Sequence, residues 1–192
     1  VEGRITSPEI IYNGSRLNSI NAGFTIKDHV LDLQDASIGA GDGAFTVNGT
    51  LNLKSKALSM RARSKAVRIE NLIRPFSNIP ITGWFESEND IHGTLDNPYI
   101  QGHSRLYDGS YNGKLISDAN FDYTLKDKVL TLSNFTIQGY GAIIRGSGTA
   151  SESGLDINLD GKDIDIGRWL VNTDYNVKGY VQAKGHIGGS LY

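Results

Sequence analysis

The chain has no cysteine, one methionine and four prolines. It also lacks any apolar run near the roughly 18 residues that a membrane-spanning helix needs. Without cysteine there are no disulfides, thiolate metal sites or cysteine nucleophile. An excess of one charge is missing too. The 19 Lys and Arg stand against 21 Asp and Glu, a formal net charge of −2, and no basic cluster occurs. Nucleic acid is therefore not an expected partner, since it calls for a clustered basic surface. The four histidines, His29, His92, His103 and His186, show no pair at zinc-ligand spacing with a third ligand nearby. No metal and no cofactor are expected.

Catalytic signatures are equally scarce. No Gly-x-Ser-x-Gly elbow precedes a helix. Gly146-Ser147-Gly148 and Gly139-Tyr140-Gly141 lie between strand-like segments, with no helix N-terminus to hold a phosphate. Glu86 and Glu88, or Asp163 and Asp165, sit two apart and so leave one strand face together, as a solvated pair rather than a glycosidase couple. The chain is not expected to be an enzyme.

What the chain does have is alternation, glycine and repetition. Phe45, Val47, Leu51 and Leu53 alternate with Thr46, Asn48, Thr50 and Asn52, the period of a strand wet on one side. Leu155, Ile157 and Leu159 alternate with Asp156, Asn158 and Asp160 in the same way. Phe24 to Ile26 and Val30 to Leu33 flank a charged turn at Lys27-Asp28-His29 and read as a hairpin. Many of the 23 glycines fall at turns and likely bulge sites between such runs.

The repetition covers the chain. Phe24-Thr25-Ile26-Lys27-Asp28 and Val30-Leu31 return as Tyr123-Thr124-Leu125-Lys126-Asp127 and Val129-Leu130 at an offset of 99, as Thr25 and Thr124 show. Val67-Arg68-Ile69 returns as Ile164-Asp165-Ile166, and Ile81-Thr82-Gly83-Trp84 as Val177-Lys178-Gly179-Tyr180. Two units follow, 1–96 and 97–192, forming one continuous structural domain cut from a longer array. Pro98 in Gly93-Thr94-Leu95-Asp96-Asn97-Pro98 marks the junction, and Gly3 to Pro8 reads as a related one. Val1 is not an initiator methionine, so any signal or anchor is expected outside this stretch. In each unit one segment breaks the strand period: Ile69, Leu72 and Ile73, then Ile166, Trp169 and Leu170, spaced as a short amphipathic helix. Trp84 and Trp169 are expected to pack rather than to stack on sugars. The fold expected is mainly β, a repeated antiparallel meander with one short helix per repeat.

Gly93-Thr94-Leu95-Asp96-Asn97-Pro98-Tyr99-Ile100-Gln101-Gly102 resembles the recurring Gly-x-Leu-x-Asn-Pro-x-hydrophobic-x-Gly motif of the TamB family, the translocation and assembly module proteins, and their AsmA-like relatives. Leu106-Tyr107-Asp108-Gly109-Ser110-Tyr111-Asn112-Gly113 is similar to the segment that follows it there. The resemblance implies a β-taco, an elongated U-shaped trough with an apolar interior. It implies a Gram-negative periplasmic bridge, anchored in the inner membrane by a segment outside this chain, that conducts phospholipid to the outer membrane and supports outer-membrane biogenesis. Its implied partners are phospholipid acyl chains, neighbouring repeats of the same chain, and a BamA-like outer-membrane barrel reached through other parts of the protein.

Alternating apolar residues alone suit a closed core as well as an open groove. If the groove exists, the candidate lining is Phe24, Ile26, Phe45, Val47, Leu51, Leu53, Leu125, Leu130, Leu132, Ile137, Ile143 and Ile157. Two other readings remain: a structural spacer or docking module for clients of outer-membrane protein assembly, whose sheet edge accepts their strands, and a carbohydrate-binding β-solenoid.

Overall fold

The computed structural model describes residues 1–12, 15–40, 43–73, 78–169 and 178–190. Among the described residues twelve strands form one sheet in which each pairs antiparallel with its neighbours in sequence. They are β1 (Glu2–Tyr12), β2 (Ser15–Lys27), β3 (Val30–Ala40), β4 (Gly43–Asn52), β5 (Ala57–Arg68), β6 (Ile81–Thr94), β7 (Pro98–Tyr111), β8 (Lys114–Lys126), β9 (Val129–Gly139), β10 (Ala142–Ser151), β11 (Gly154–Asp165) and β12 (Tyr180–Gly189). Two short helices, α1 (Ile69–Ile73) and α2 (Ile166–Trp169), follow β5 and β11. Each half thus supplies six strands and one helix after its fifth strand. β1 and β12 are the two edges of the sheet, so the meander stays open rather than closing into a barrel.

Tight hairpins fix the register. Asp28 and His29 have φ of 50° and 64°, and Asp127 and Lys128 have 50° and 63°. Asn112-Gly113 and Tyr140-Gly141 are left-handed at both positions as well. Two successive left-handed residues make the turn whose twist matches that of the flanking strands.

Bulges then bend the sheet. Asp35, Ala66 and Asp163 adopt φ of 50°, 51° and 54° at breaks in the β3–β4, β5–β6 and β11–β12 registers. An extra residue of this kind raises the local twist and curls the strand. The bulges at Ala66 and Asp163 each stand just before a helix, at equivalent places in the two halves.

The curl gives the sheet a covered face and an open one. Directly paired residues share a face, and successive residues alternate. Leu58, Val67, Leu106, Ala119, Phe135 and Ala142, the buried apolar residues, all fall on one side by this rule. That side is the concave interior of the trough. The convex side carries the charges. Arg61 Nε donates to Asp90 Oδ1 at 2.7 Å, Arg63 lies 3.2 Å from Glu88, and His103 Nδ1 is 2.7 Å from Asp122 Oδ1. The hydrogen bond from Arg61 holds the Asp90 carboxyl below its ordinary range. Glu86 belongs to this solvated face too. So does Trp84, whose ring lies under Arg68 with the guanidinium carbon 4.9 Å from the ring centroid.

Two sequence expectations change. Pro8 does not mark a turn; it lies within edge strand β1, between Ser7 paired with Ile20 and Glu9 paired with Asn18. An edge strand tolerates a proline because one side needs no amide donor. Pro98, by contrast, opens β7. The register makes Gly102 the counterpart of Gly3, since Gly3 pairs with Phe24 and Gly102 with Tyr123. In both pairs a Cβ on the glycine would run into the aromatic ring opposite. Leu170 and Val177 lie outside the described residues.

Candidate functional site: an apolar concave face

Following the register from strand to strand, Gly3, Phe24, Leu33, Gly49, Met60, Ile91, Ile100, Leu125, Leu130, Ala150, Leu155 and Gly189 stand opposite one another in turn. Every strand contributes one residue to this ladder, and each is apolar or glycine. At about 4.8 Å between strands the ladder runs roughly 50 Å along the sheet. A second row, Val67, Phe85, Leu106, Ala119, Ile137 and Ile144, lies nearer the helix-bearing end.

From Phe85 to Ile144 that second row is the floor of a cavity of about 340 Å³. Its lining adds Ile69 from α1, Ile81, Tyr111, Lys114, Leu115, Ile116, Phe121, Gly139 and Ala142. One cavity touching α1 and five consecutive strands is what a curled sheet allows and a flat one does not. Among the lining residues Lys114 alone is charged, and its Nζ donates to the Arg168 carbonyl oxygen at 3.4 Å. Phe121 and Phe135 stack with centroids 6.3 Å apart, and the Phe135 ring occupies the space a side chain at Gly146 would need.

Helix α1 is held where it can close this end. The Glu70 carboxylate accepts from Arg68 Nε at 2.8 Å and from the Gly83 backbone N–H at 3.2 Å. Burial raises the Glu70 pKa, but hydrogen bonds from its own backbone, Arg68 and Gly83 outweigh that, and the net direction is down. A helix of five residues cannot hold itself together in water; this anchor and the contacts of α1 with β5 and β6 do so.

The structure brings ten of the twelve expected lining residues onto the concave face: Phe24, Ile26, Phe45, Val47, Leu51, Leu125, Leu130, Leu132, Ile137 and Ile157. Only Ile137 of these lines the cavity. Ile143 does not join them. It pairs with Gln138 and Lys162 on the convex face, because the two-residue turn at Tyr140-Gly141 sets Ile144, not Ile143, opposite Ile137. Leu53 falls beyond the end of β4 and is 51% exposed. Asn52 ends the strand there by accepting the Lys54 and Ser55 N–H groups on its Oδ1, at 3.0 and 2.8 Å.

The cavity wall on β6, β7 and β8 was not anticipated. The alternation of Phe121 with Tyr123 and Leu125 was the available signal for it. Ile143-Ile144 gave a pair of adjacent isoleucines with nothing local to say which points inward.

No protein-family model, curated protein or solved structure matches the chain. Among the described residues no three His, Asp or Glu side chains are grouped to hold a metal ion. No helix among them is long and apolar enough to cross a membrane.

Proposed function

We propose that the concave face carries acyl chains, and that the protein is a segment of a periplasmic bridge conducting phospholipid between two membranes. The twelve-position apolar ladder, continuous from edge to edge and flanked by the apolar cavity, supports this reading. Each methylene removed from water contributes about 0.8 kcal/mol, so a 16-carbon chain gains on the order of 12 kcal/mol when fully covered. An open trough covers about half of that surface, enough to retain a chain and too little to trap it. The ladder holds no charged side chain, so a chain sliding along it meets no fixed ionic hook.

The wider context rests on the TamB-like junction motif: an inner-membrane anchor elsewhere in the protein, a BamA-like barrel as an outer-membrane partner, and neighbouring repeats on either side. A second reading draws on another observation. The edges of β1 and β12 are open in the sheet order, and an open edge can accept a strand from a client protein.

The test is to incubate the purified chain with phosphatidylethanolamine vesicles, recover it, and count bound lipid by native mass spectrometry. Lipid on the wild-type chain that is lost in Phe121→Arg supports the groove. An empty wild-type chain overturns it, and binding of extended peptides by the same chain would then favour the edge.

A further inference from the structure

A polar patch interrupts the apolar face, and its hydrogen bonds are unevenly spent. Ser64, Ser87, Asn89, Ser104 and Tyr123 occupy concave positions on β5, β6, β7 and β8. Ser64, Ser87 and Ser104 are 5%, 9% and 5% exposed. Ser64 Oγ lies 2.9 Å from Ser87 Oγ, and Asn89 Nδ2 donates to Ser87 Oγ at 3.3 Å. The Tyr123 hydroxyl donates to Asn89 Oδ1 at 2.6 Å. That leaves Ser104 Oγ, 3.0 Å away, as the donor to Tyr123.

Three serines, one tyrosine and one asparagine carry six donor hydrogens, and these four bonds use four of them. One hydrogen on the Ser64–Ser87 pair and the second amide hydrogen of Asn89 are left over. The spare hydroxyl hydrogen sits on buried serines and the spare amide hydrogen on half-buried Asn89, and donors so placed call for an acceptor.

The neighbourhood says which acceptor. Ser104 pairs directly with Phe121, and Ser87 is two residues from Phe85 on the same face. Both phenylalanines line the cavity. The patch therefore adjoins an apolar space sized for a hydrocarbon tail. The one cation on this face of β5 to β8 is Lys114, at the far end of the cavity and seven residues along β8 from Phe121; the positions beside the patch hold no Arg, Lys or His. Neutral donors without a cation suit a neutral acceptor, because a carboxylate placed there would be desolvated without a counter-charge.

We propose that this patch is a seat for the ester carbonyl of an acyl chain whose tail lies in the adjoining cavity. The seat rests on the acyl-groove reading and adds to it a preference for esterified chains over free fatty acids. It gives a chain a preferred stopping point beside the cavity.

The test is displacement of N-phenyl-1-naphthylamine from the intact chain by three probes: methyl palmitate, hexadecyl methyl ether and palmitate anion. The ether has the tail without the carbonyl. Methyl palmitate is expected to compete about five- to tenfold better than the ether, the worth of one neutral hydrogen bond, and better than palmitate. Asn89→Leu is expected to shrink that preference below about twofold, on the same hydrogen-bond scale. Asn89→Asp keeps the side chain's size and an acceptor for Tyr123 while removing both amide hydrogens, and should act in the same direction if Asn89→Leu fails to fold. Equal competition by ester and ether overturns the seat and leaves the groove standing. So does tighter binding of palmitate, or a preference that survives both variants. If none of the three displaces the dye, groove and seat fall together.

Discussion

Replacing Phe135 with alanine tests whether the concave face is the packed side of the sheet. Phe135 is 5% exposed, stacks on Phe121 and fills the space left by Gly146. Phe-to-Ala changes in closed cores cost about 3–5 kcal/mol. A trough open on one side lets water and neighbouring side chains relax into the gap, which places this site at the lower end, about 3 kcal/mol. For a chain of this length each kcal/mol shifts the melting temperature by about 2–4 °C, so a fall of about 6–12 °C is expected. The control is Ile143→Ala, a half-buried residue on the convex face, where a loss of about 1 kcal/mol and 2–4 °C is expected. Thermal melts followed by far-ultraviolet circular dichroism read both. A fall for Ile143→Ala equal to or larger than that for Phe135→Ala would refute the assignment of faces.

Three more outcomes follow from the same geometry. Ile144→Glu sets an unpaired carboxylate into the cavity and should weaken competition by methyl palmitate more than about tenfold, read by the same dye displacement. Gly102→Ala should destabilise by about 1–3 kcal/mol, because its Cβ would collide with Asn89 Oδ1 and the Tyr123 ring; chemical denaturation measures this. The Glu70 carboxyl has its pKa lowered from 4.5 in the folded chain. Its contribution is therefore complete above about pH 4.5, the unfolded value, and lost as pH falls through the lower folded value. Glu70→Gln should flatten the acid limb of the melting temperature below about pH 4.5, and an unchanged acid limb would contradict the anchoring of α1.

Much of this architecture was legible because its causes are local. Alternation at Phe45 to Asn52 and at Leu155 to Asp160 survives as β4 and β11, each with one face turned inward. The charged turn at Lys27 is the tight hairpin expected and its repeat at Lys126 is another, and the helical spacing at Ile69 and Ile166 gives α1 and α2. What escaped depends on register, which is set at a distance. Period-two reasoning puts Leu53 with Leu51 but cannot see that Asn52 ends the strand. It cannot choose between Ile143 and Ile144 without the turn at Tyr140-Gly141. The bulges at Ala66 and Asp163 reverse the side on which later residues point. On β6 the pattern Trp84-Phe85-Glu86-Ser87-Glu88-Asn89 places only one strong apolar residue inward, so the cavity wall and the polar patch had little signal in composition.

Ile137 and Thr136 are chain neighbours, the first paired with Ile144 on the concave face and the second with Arg145 on the convex one. A photoreactive benzoylphenylalanine at each position, irradiated in the presence of phosphatidylethanolamine vesicles, asks directly which face meets lipid. A lipid adduct at position 137 with none at 136 is the outcome the acyl groove requires. Equal labelling at the two positions, or labelling at 136 alone, would contradict it.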